Sequence, residues 1–252
     1  MREQDGTQRL LYSRVCLPEG KGSARMVVIN HGTGAARFVE QPQSCTHEAP
    51  EWFLRRGYAV MMPIRRGFGN TGGTLNENLV TSPSTGRRCS GSDPYPQGLE
   101  AARDIAAAVD YATALPGVQP DKAVVLGVST GGYASIAYAS THHPKVNAII
   151  NVSGGKGGGS NRVCAVDEFL EAVAKFGETS RTPMLWVYAH NDLFFSPDYA
   201  RSLHTAFTGT GGKAEFVNVG LYGFDGHSLF FGWNGSALWG PPVDYYLNES
   251  MK

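Results

Sequence analysis

The sequence has little charge and no excess of either sign. Lys and Arg number 22 against 22 Asp and Glu, and charged residues make up 17% of the 252, below the roughly 25% of an average soluble domain. Nucleic-acid proteins gather basic residues on one face. Here the basic pairs Arg55-Arg56, Arg65-Arg66 and Arg87-Arg88 are dispersed, so no nucleic-acid partner is expected. Long apolar runs are missing too. The runs at 26–29 and 59–64 fall well short of the ~18 residues a membrane span requires, and no span is expected. Residues 1–7 lack the apolar core of a secretory leader, an absence that decides little because such a leader is removed from the mature protein. Cysteine is sparse, at four residues with no C-x-x-C spacing, which argues against a zinc or dithiol redox site. The even count admits three disulfide pairings, or four reduced thiols in a cytosolic protein. No internal repeat is present.

What is present is enough apolar material for a core: 42% hydrophobic and 11% aromatic residues, which excludes disordered and fibrous classes. Short β-like runs alternate with longer helical ones. Strands are expected at 10–16, 26–30, 58–63, 123–127, 148–152, 184–189 and 214–219. Helices are expected at 50–57, 100–115, 131–139, 166–176, 198–207 and 243–248. The run at 123–127 is continuously apolar, as a strand covered on both faces should be. Strand and helix in alternation predict an α/β fold, a mostly parallel central sheet with helices on both faces. Residues 65–98, rich in Gly, Ser, Thr and Pro, make too long a connection for an ordinary loop, and 75–98 is a candidate cap.

In such folds chemistry gathers at the carboxyl ends of strands. The strand at 123–127 runs into Gly127-Val128-Ser129-Thr130-Gly131 and then a helix, a G-x-S-x-G in its required strand-turn-helix context. Ser129 is therefore the candidate nucleophile. A serine hydroxyl needs a histidine base held by a carboxylate, and these should follow in the order acid, then histidine. Asp192, just past the strand ending at 189, and His227, after the last strand, fit those roles. Asp198 and Asp225 are weaker rivals: one reads as a first-turn helix residue, the other lies two residues from His227. An oxyanion would need backbone N–H donors, expected from Thr130 and from Thr33 in His31-Gly32-Thr33-Gly34. His31 itself reads as a structural histidine.

His31-Gly32, Arg65-Arg66-Gly67-Phe68-Gly69, the Ser129 turn, Tyr188-Ala189-His190-Asn191-Asp192 and Asp225-Gly226-His227 together resemble the α/β-hydrolase superfamily, in particular dienelactone-hydrolase-like esterases. The likeness runs from about residue 10 to the C-terminus and implies one α/β-hydrolase domain over residues 1–252 with a short cap. It also implies a small-molecule carboxylic ester as substrate and no metal or organic cofactor. Dienelactone hydrolases carry cysteine where this chain has Ser129, so plain carboxylesterase chemistry is the expectation. Two other readings are a peptidase of the prolyl-oligopeptidase type, for which the chain has no propeller-sized partner domain, and a binding protein on a hydrolase fold.

Further residues are candidates for substrate binding. Arg65 and Arg66 at a strand end could clamp a substrate carboxylate. Phe68, Phe194 and Phe230, with Phe195, Phe231 and Trp233, could line a pocket. The glycine string at 154–159 lacks the spacing of a phosphate loop, and His142-His143 reads as a helix end rather than a metal site. Cys89 and Cys164 are expected on the site side of the sheet. A Cys89–Cys164 bridge, with Cys16–Cys45 as the remaining pair, would suit a secreted or periplasmic enzyme, the alternative being cytoplasmic.

Overall fold

A computed structural model describes residues 1, 3, 6–20, 22–33, 41–74, 93–159, 162–163 and 165–251. Among these residues seven strands form one sheet. They are β1 (Ser13–Cys16), β2 (Ala24–Asn30), β3 (Tyr58–Pro63), β4 (Val118–Val128), β5 (Val146–Val152), β8 (Met184–Tyr188) and β9 (Ala214–Asn218), in the order β1-β3-β2-β4-β5-β8-β9. Only β1 is antiparallel to its neighbour, as expected of a mostly parallel sheet. A two-stranded ribbon of β6 (Gly158–Gly159) and β7 (Arg162–Val163) stands apart.

The continuous apolar strands are explained by cover on both faces. Successive side chains of a strand point to opposite sides. On β2, Met26 and Val28 therefore join one core while Val27 and Ile29 join the other. The first core is closed by α2 (Pro94–Thr113), α3 (Thr130–Ala139), α4 (Val166–Thr179) and α5 (Pro197–Gly209). The second is closed by α1 (Glu48–Leu54) and α6 (Ser236–Ser250), where Trp239 packs at 4.8 Å from Trp52 and 4.9 Å from Phe230.

The starts of two helices differ most from expectation, and β4 begins five residues before the expected 123. The candidate cap at 75–98 overlaps α2, because Asp93 caps that helix by accepting a hydrogen bond from the Tyr95 N–H at 3.0 Å and Pro94 fills the first helical position. Pro needs no N–H there, so the prolines that read as loop begin a helix. The rest of the cap, 75–92, lies outside the described residues. The C-terminal helix starts seven residues before position 243 and carries Pro241 and Pro242 inside it. Its open end is satisfied by the Glu48 carboxylate, which accepts from the Asn234 and Ser236 N–H groups at 2.6 and 2.8 Å.

Cys16 and Cys45 are disulfide-bonded, one of the two expected bridges. Cys89 and Cys164 lie outside the described residues. No helix among the described residues is long and apolar enough to cross a membrane.

Candidate active site

Ser129 occupies the turn between β4 and α3 with φ +57° and ψ −121°, a region that costs a side-chain-bearing residue on the order of 1–3 kcal/mol. The surroundings hold it there. Its N–H donates to Val152 O at 3.1 Å, and its carbonyl accepts from Tyr133 and Gly155 N–H at 3.0 and 3.1 Å. The flanking glycines are steric requirements. A Cβ at Gly127 would collide with the Gly131 carbonyl, and one at Gly131 with the carbonyls of Asn30 and His31. Strand, turn and helix thus meet closely enough to push the Ser129 hydroxyl out at the sheet edge.

His227 reaches that hydroxyl from the loop after β9, with Nε2 3.0 Å from Ser129 Oγ. Its Nδ1 lies 3.0 and 3.1 Å from the two oxygens of Asp192, whose side chain is wholly buried. Asp192 is held in turn: one carboxylate oxygen accepts from the N–H groups of Phe194 and Phe195 at 2.8 and 2.9 Å. The rings of the same two residues pack the imidazole. Phe194 stacks on it at 4.3 Å, and Phe195 meets it edge-on at 5.3 Å. The expected order of serine, acid and histidine is thus brought into one hydrogen-bonded line.

Two supports were not legible as such. Asp225, a rival for the acid, accepts from the N–H groups of His227 and Leu193 at 2.9 and 3.1 Å; it ties the histidine loop to the acid loop. The Asn191 amide does the same, accepting from Tyr222 N–H at 2.9 Å and donating to the carbonyls of Tyr222 and Gly223 at 3.1 Å. An Asn directly before the acid was the only sequence signal, and its partners sit more than 30 positions away.

The loop after β2 forms the facing wall. His31 contacts the Gly32 carbonyl through Nδ1 at 2.7 Å and accepts the Arg65 N–H on Nε2 at 3.0 Å. That pattern fixes the neutral tautomer with the proton on Nδ1. Burial, reinforced by the Arg65 cation, holds its pKa well below the usual 6.5. It is structural, as its sequence position suggested. Gly32 abuts Ser129; a Cβ there would lie 2.9 Å from Ser129 Cβ. Thr33 Oγ1 donates to Thr130 Oγ1 at 2.9 Å, so the two residues expected to supply oxyanion donors are brought together across Ser129.

Neither arginine acts as expected. Arg65 is fully buried and donates to the His31 carbonyl at 2.5 Å and to Thr130 Oγ1 at 3.4 Å. It braces the loop after β2 instead of facing a substrate. Arg66 is turned inward, pairing with Asp104 at 2.7 Å, Glu3 at 3.2 Å and Glu100 at 3.3 Å. Burial alone would depress its pKa, but these carboxylates hold it above its ordinary value.

A cavity of about 240 Å³ opens beside Ser129 and His227. Ile29, Met62, Ile64, Val128, Pro42 and Phe231 give it an apolar lining. Of the six aromatic candidates, Phe231 is the one among its lining residues. Phe68 is buried edge-on to His31 at 4.9 Å, Phe230 is buried in the second core, and Phe194 covers the histidine. Of the neighbours Phe230 and Phe231, both expected as candidates, Phe231 is the one that lines the cavity. The two share a turn, and one step along it changes the face presented.

A model of the alpha/beta hydrolase family matches residues 26–250. No curated protein sequence matches the chain. Among solved structures, Est1E from Butyrivibrio proteoclasticus, seen with ferulic acid bound, superposes with TM-score 0.63 at 16% identity over 95% of each chain. A Klebsiella pneumoniae protein assigned as a dienelactone hydrolase gives 0.61 at 13% identity, covering 94% of this chain and 92% of that one. The acylaminoacyl peptidase of Pyrococcus horikoshii gives 0.67 at 14% identity, with 96% of this chain but only 40% of that one covered. At such identities these likenesses speak to the fold.

Proposed function

The chain belongs to the alpha/beta hydrolase family, and from that membership and the geometry around Ser129 we propose that it is a serine carboxylic ester hydrolase working through an acyl-enzyme. The reading treats residues 1–252 as one such domain. The observation that carries it is the contact of Ser129 Oγ with His227 Nε2 at 3.0 Å, backed by the buried Asp192 on the other ring nitrogen. Ser129 Oγ attacks the ester carbonyl while His227 Nε2 accepts its proton. The Asp192 carboxylate fixes the ring and stabilises the imidazolium. The backbone N–H groups of Thr130 and Thr33 receive the oxyanion. Collapse returns the proton to the departing alcohol, and a water activated by the same nitrogen then releases the acid.

The test is hydrolysis of p-nitrophenyl acetate and butyrate by wild type and Ser129→Ala, with a fluorophosphonate as covalent label. The reading expects turnover and labelling at Ser129, both abolished by the substitution, with a loss of at least about 10³-fold. Turnover unchanged in the variant would overturn it. The likeness to an acylaminoacyl peptidase supports a second reading on the same machinery, amide cleavage, which an acyl-amino-acid p-nitroanilide would reveal. The Cys16–Cys45 bond supports an oxidising compartment outside the cytosol.

A further inference from the structure

The cavity beside Ser129 has a wall that is attached to the fold in an unusual way. Gln41, Pro42 and Gln43 line it, and they belong to a segment without helix or strand that leads to α1. Two ties fasten this segment to the edge strand. At the site end the Tyr12 hydroxyl donates to Gln41 Oε1 at 3.3 Å. Tyr12 itself is fixed beside the cavity, because its carbonyl accepts the N–H of the lining residue Ile64 at 2.8 Å and its N–H donates to Thr71 Oγ1 at 2.9 Å. At the far end Cys45 is bonded to Cys16. The ties are in register: position 12 meets 41 and position 16 meets 45. Residues 41–45 therefore run alongside β1 as a strap, about 13 Å long if extended, in which Pro42 is buried and Gln41 and Gln43 are exposed.

The described lining is mostly apolar, with Thr33, Gln41, Gln43 and Ser129 as neutral polar residues. No Asp, Glu, Lys or Arg is among the described lining residues. The two histidines are accounted for, His31 as a neutral brace and His227 as the proposed base. An anionic group entering this space would lose its hydration without gaining a cationic partner among the described lining residues. The cavity, about 240 Å³, has room for a short to medium acyl chain.

We infer that the cavity under the strap is the specificity pocket of the proposed esterase, that it takes the uncharged apolar part of an ester of short to medium chain length, and that the Cys16–Cys45 bond sets this limit by holding the wall in place. The inference rests on the hydrolase reading. It goes further in assigning a substrate class and in giving a disulfide remote from the reacting atoms a part in selecting it. It also reverses the expectation attached to Arg65 and Arg66, that the substrate carries a carboxylate.

The experiment is a specificity profile. Wild type is assayed with p-nitrophenyl esters from acetate to dodecanoate and with the p-nitrophenyl monoester of succinic acid, whose carboxylate matches butyrate in length. The same panel is run on the Cys16→Ser/Cys45→Ser double variant and on Tyr12→Phe, which loosens the other end of the strap and leaves the disulfide intact. Fluorophosphonate labelling at Ser129 reports separately on the nucleophile. The inference expects kcat/KM to peak between butyrate and octanoate and to fall at least tenfold by dodecanoate. Succinate monoester should run at least tenfold slower than butyrate. In both variants the dodecanoate-to-butyrate ratio should rise severalfold while labelling persists. Labelling with a flat chain-length profile, with succinate equal to butyrate, or with a ratio unmoved in Tyr12→Phe and in a folded double variant overturns the inference and leaves the hydrolase reading standing. Absence of both labelling and turnover at Ser129 overturns the two together.

Discussion

His31 shows how a single side chain can be essential to a site without taking part in its chemistry. One ring nitrogen meets the Gly32 carbonyl and the other accepts the Arg65 N–H, an arrangement that an imidazolium cannot satisfy because both its nitrogens donate. Its folded-state pKa is held well below 6.5 by burial and by Arg65, whereas in the unfolded chain it titrates near 6.5. The unfolded state therefore gains a proton first as pH falls. The stabilisation from His31 is complete above about 6.5 and is lost below it at up to about 1.4 kcal/mol per pH unit. Gln supplies one acceptor and one donor but does not titrate. Denaturant unfolding between pH 7 and 5 should accordingly show a flatter stability profile for His31→Gln than for wild type; equal slopes would contradict the assigned tautomer. At this scale the sequence was partly legible. Ser129, Asp192 and His227 follow strands whose ends meet at one sheet edge. The directions of Arg65 and Arg66 did not follow from position, because a strand end fixes where a backbone emerges, while their partners His31, Asp104 and Glu100 come from other segments.

Among the elements, the α1–α6 contact depends on one carboxylate. Burial opposes ionisation of Glu48, but hydrogen bonds from Ser236 and Asn234 outweigh it and lower the pKa from its ordinary 4.5. The charge also faces the positive end of α6. A carboxylate of lowered pKa contributes above its unfolded value and loses that contribution as pH falls through the folded one. Glu48→Gln should thus cost about 1 kcal/mol at pH 7, and the two proteins should converge in stability as the pH is taken well below 4.5, as thermal melts would show. The strands at 58–63 and 184–189 were legible nearly to the residue, since a run covered on both faces is apolar throughout. The starts of α2 and α6 were not. Pro94, Pro241 and Pro242 read as breakers; Pro94 sits in the first turn, where its missing N–H costs no helical bond, whereas Pro241 and Pro242 lie inside α6, whose start is capped by a carboxylate 188 positions away.

Across the whole molecule, the strand and helix alternation gave the fold class, while the strand order β1-β3-β2-β4-β5-β8-β9 could not be read from it. Pairing depends on which apolar faces meet, and every buried strand offers similar ones. The covalent link across this architecture is easier to weigh. Cys16 and Cys45 are 29 positions apart, and closing a loop of that length constrains the unfolded chain by roughly 3–4 kcal/mol. The Cys16→Ser/Cys45→Ser variant should therefore melt about 10 °C lower than wild type, as calorimetry would record; an unchanged melting temperature would mean that the link does not restrain the unfolded chain. The groups proposed to react come from the ends of β2, β4 and β8 and the loop after β9, whereas part of the proposed pocket wall comes from the strap between β2 and α1. Chemistry and selectivity are thus written in different stretches of the chain. On that proposal, descendants of this protein can exchange the strap for one of another length and acquire new substrates, with the proposed nucleophile, base and acid inherited intact.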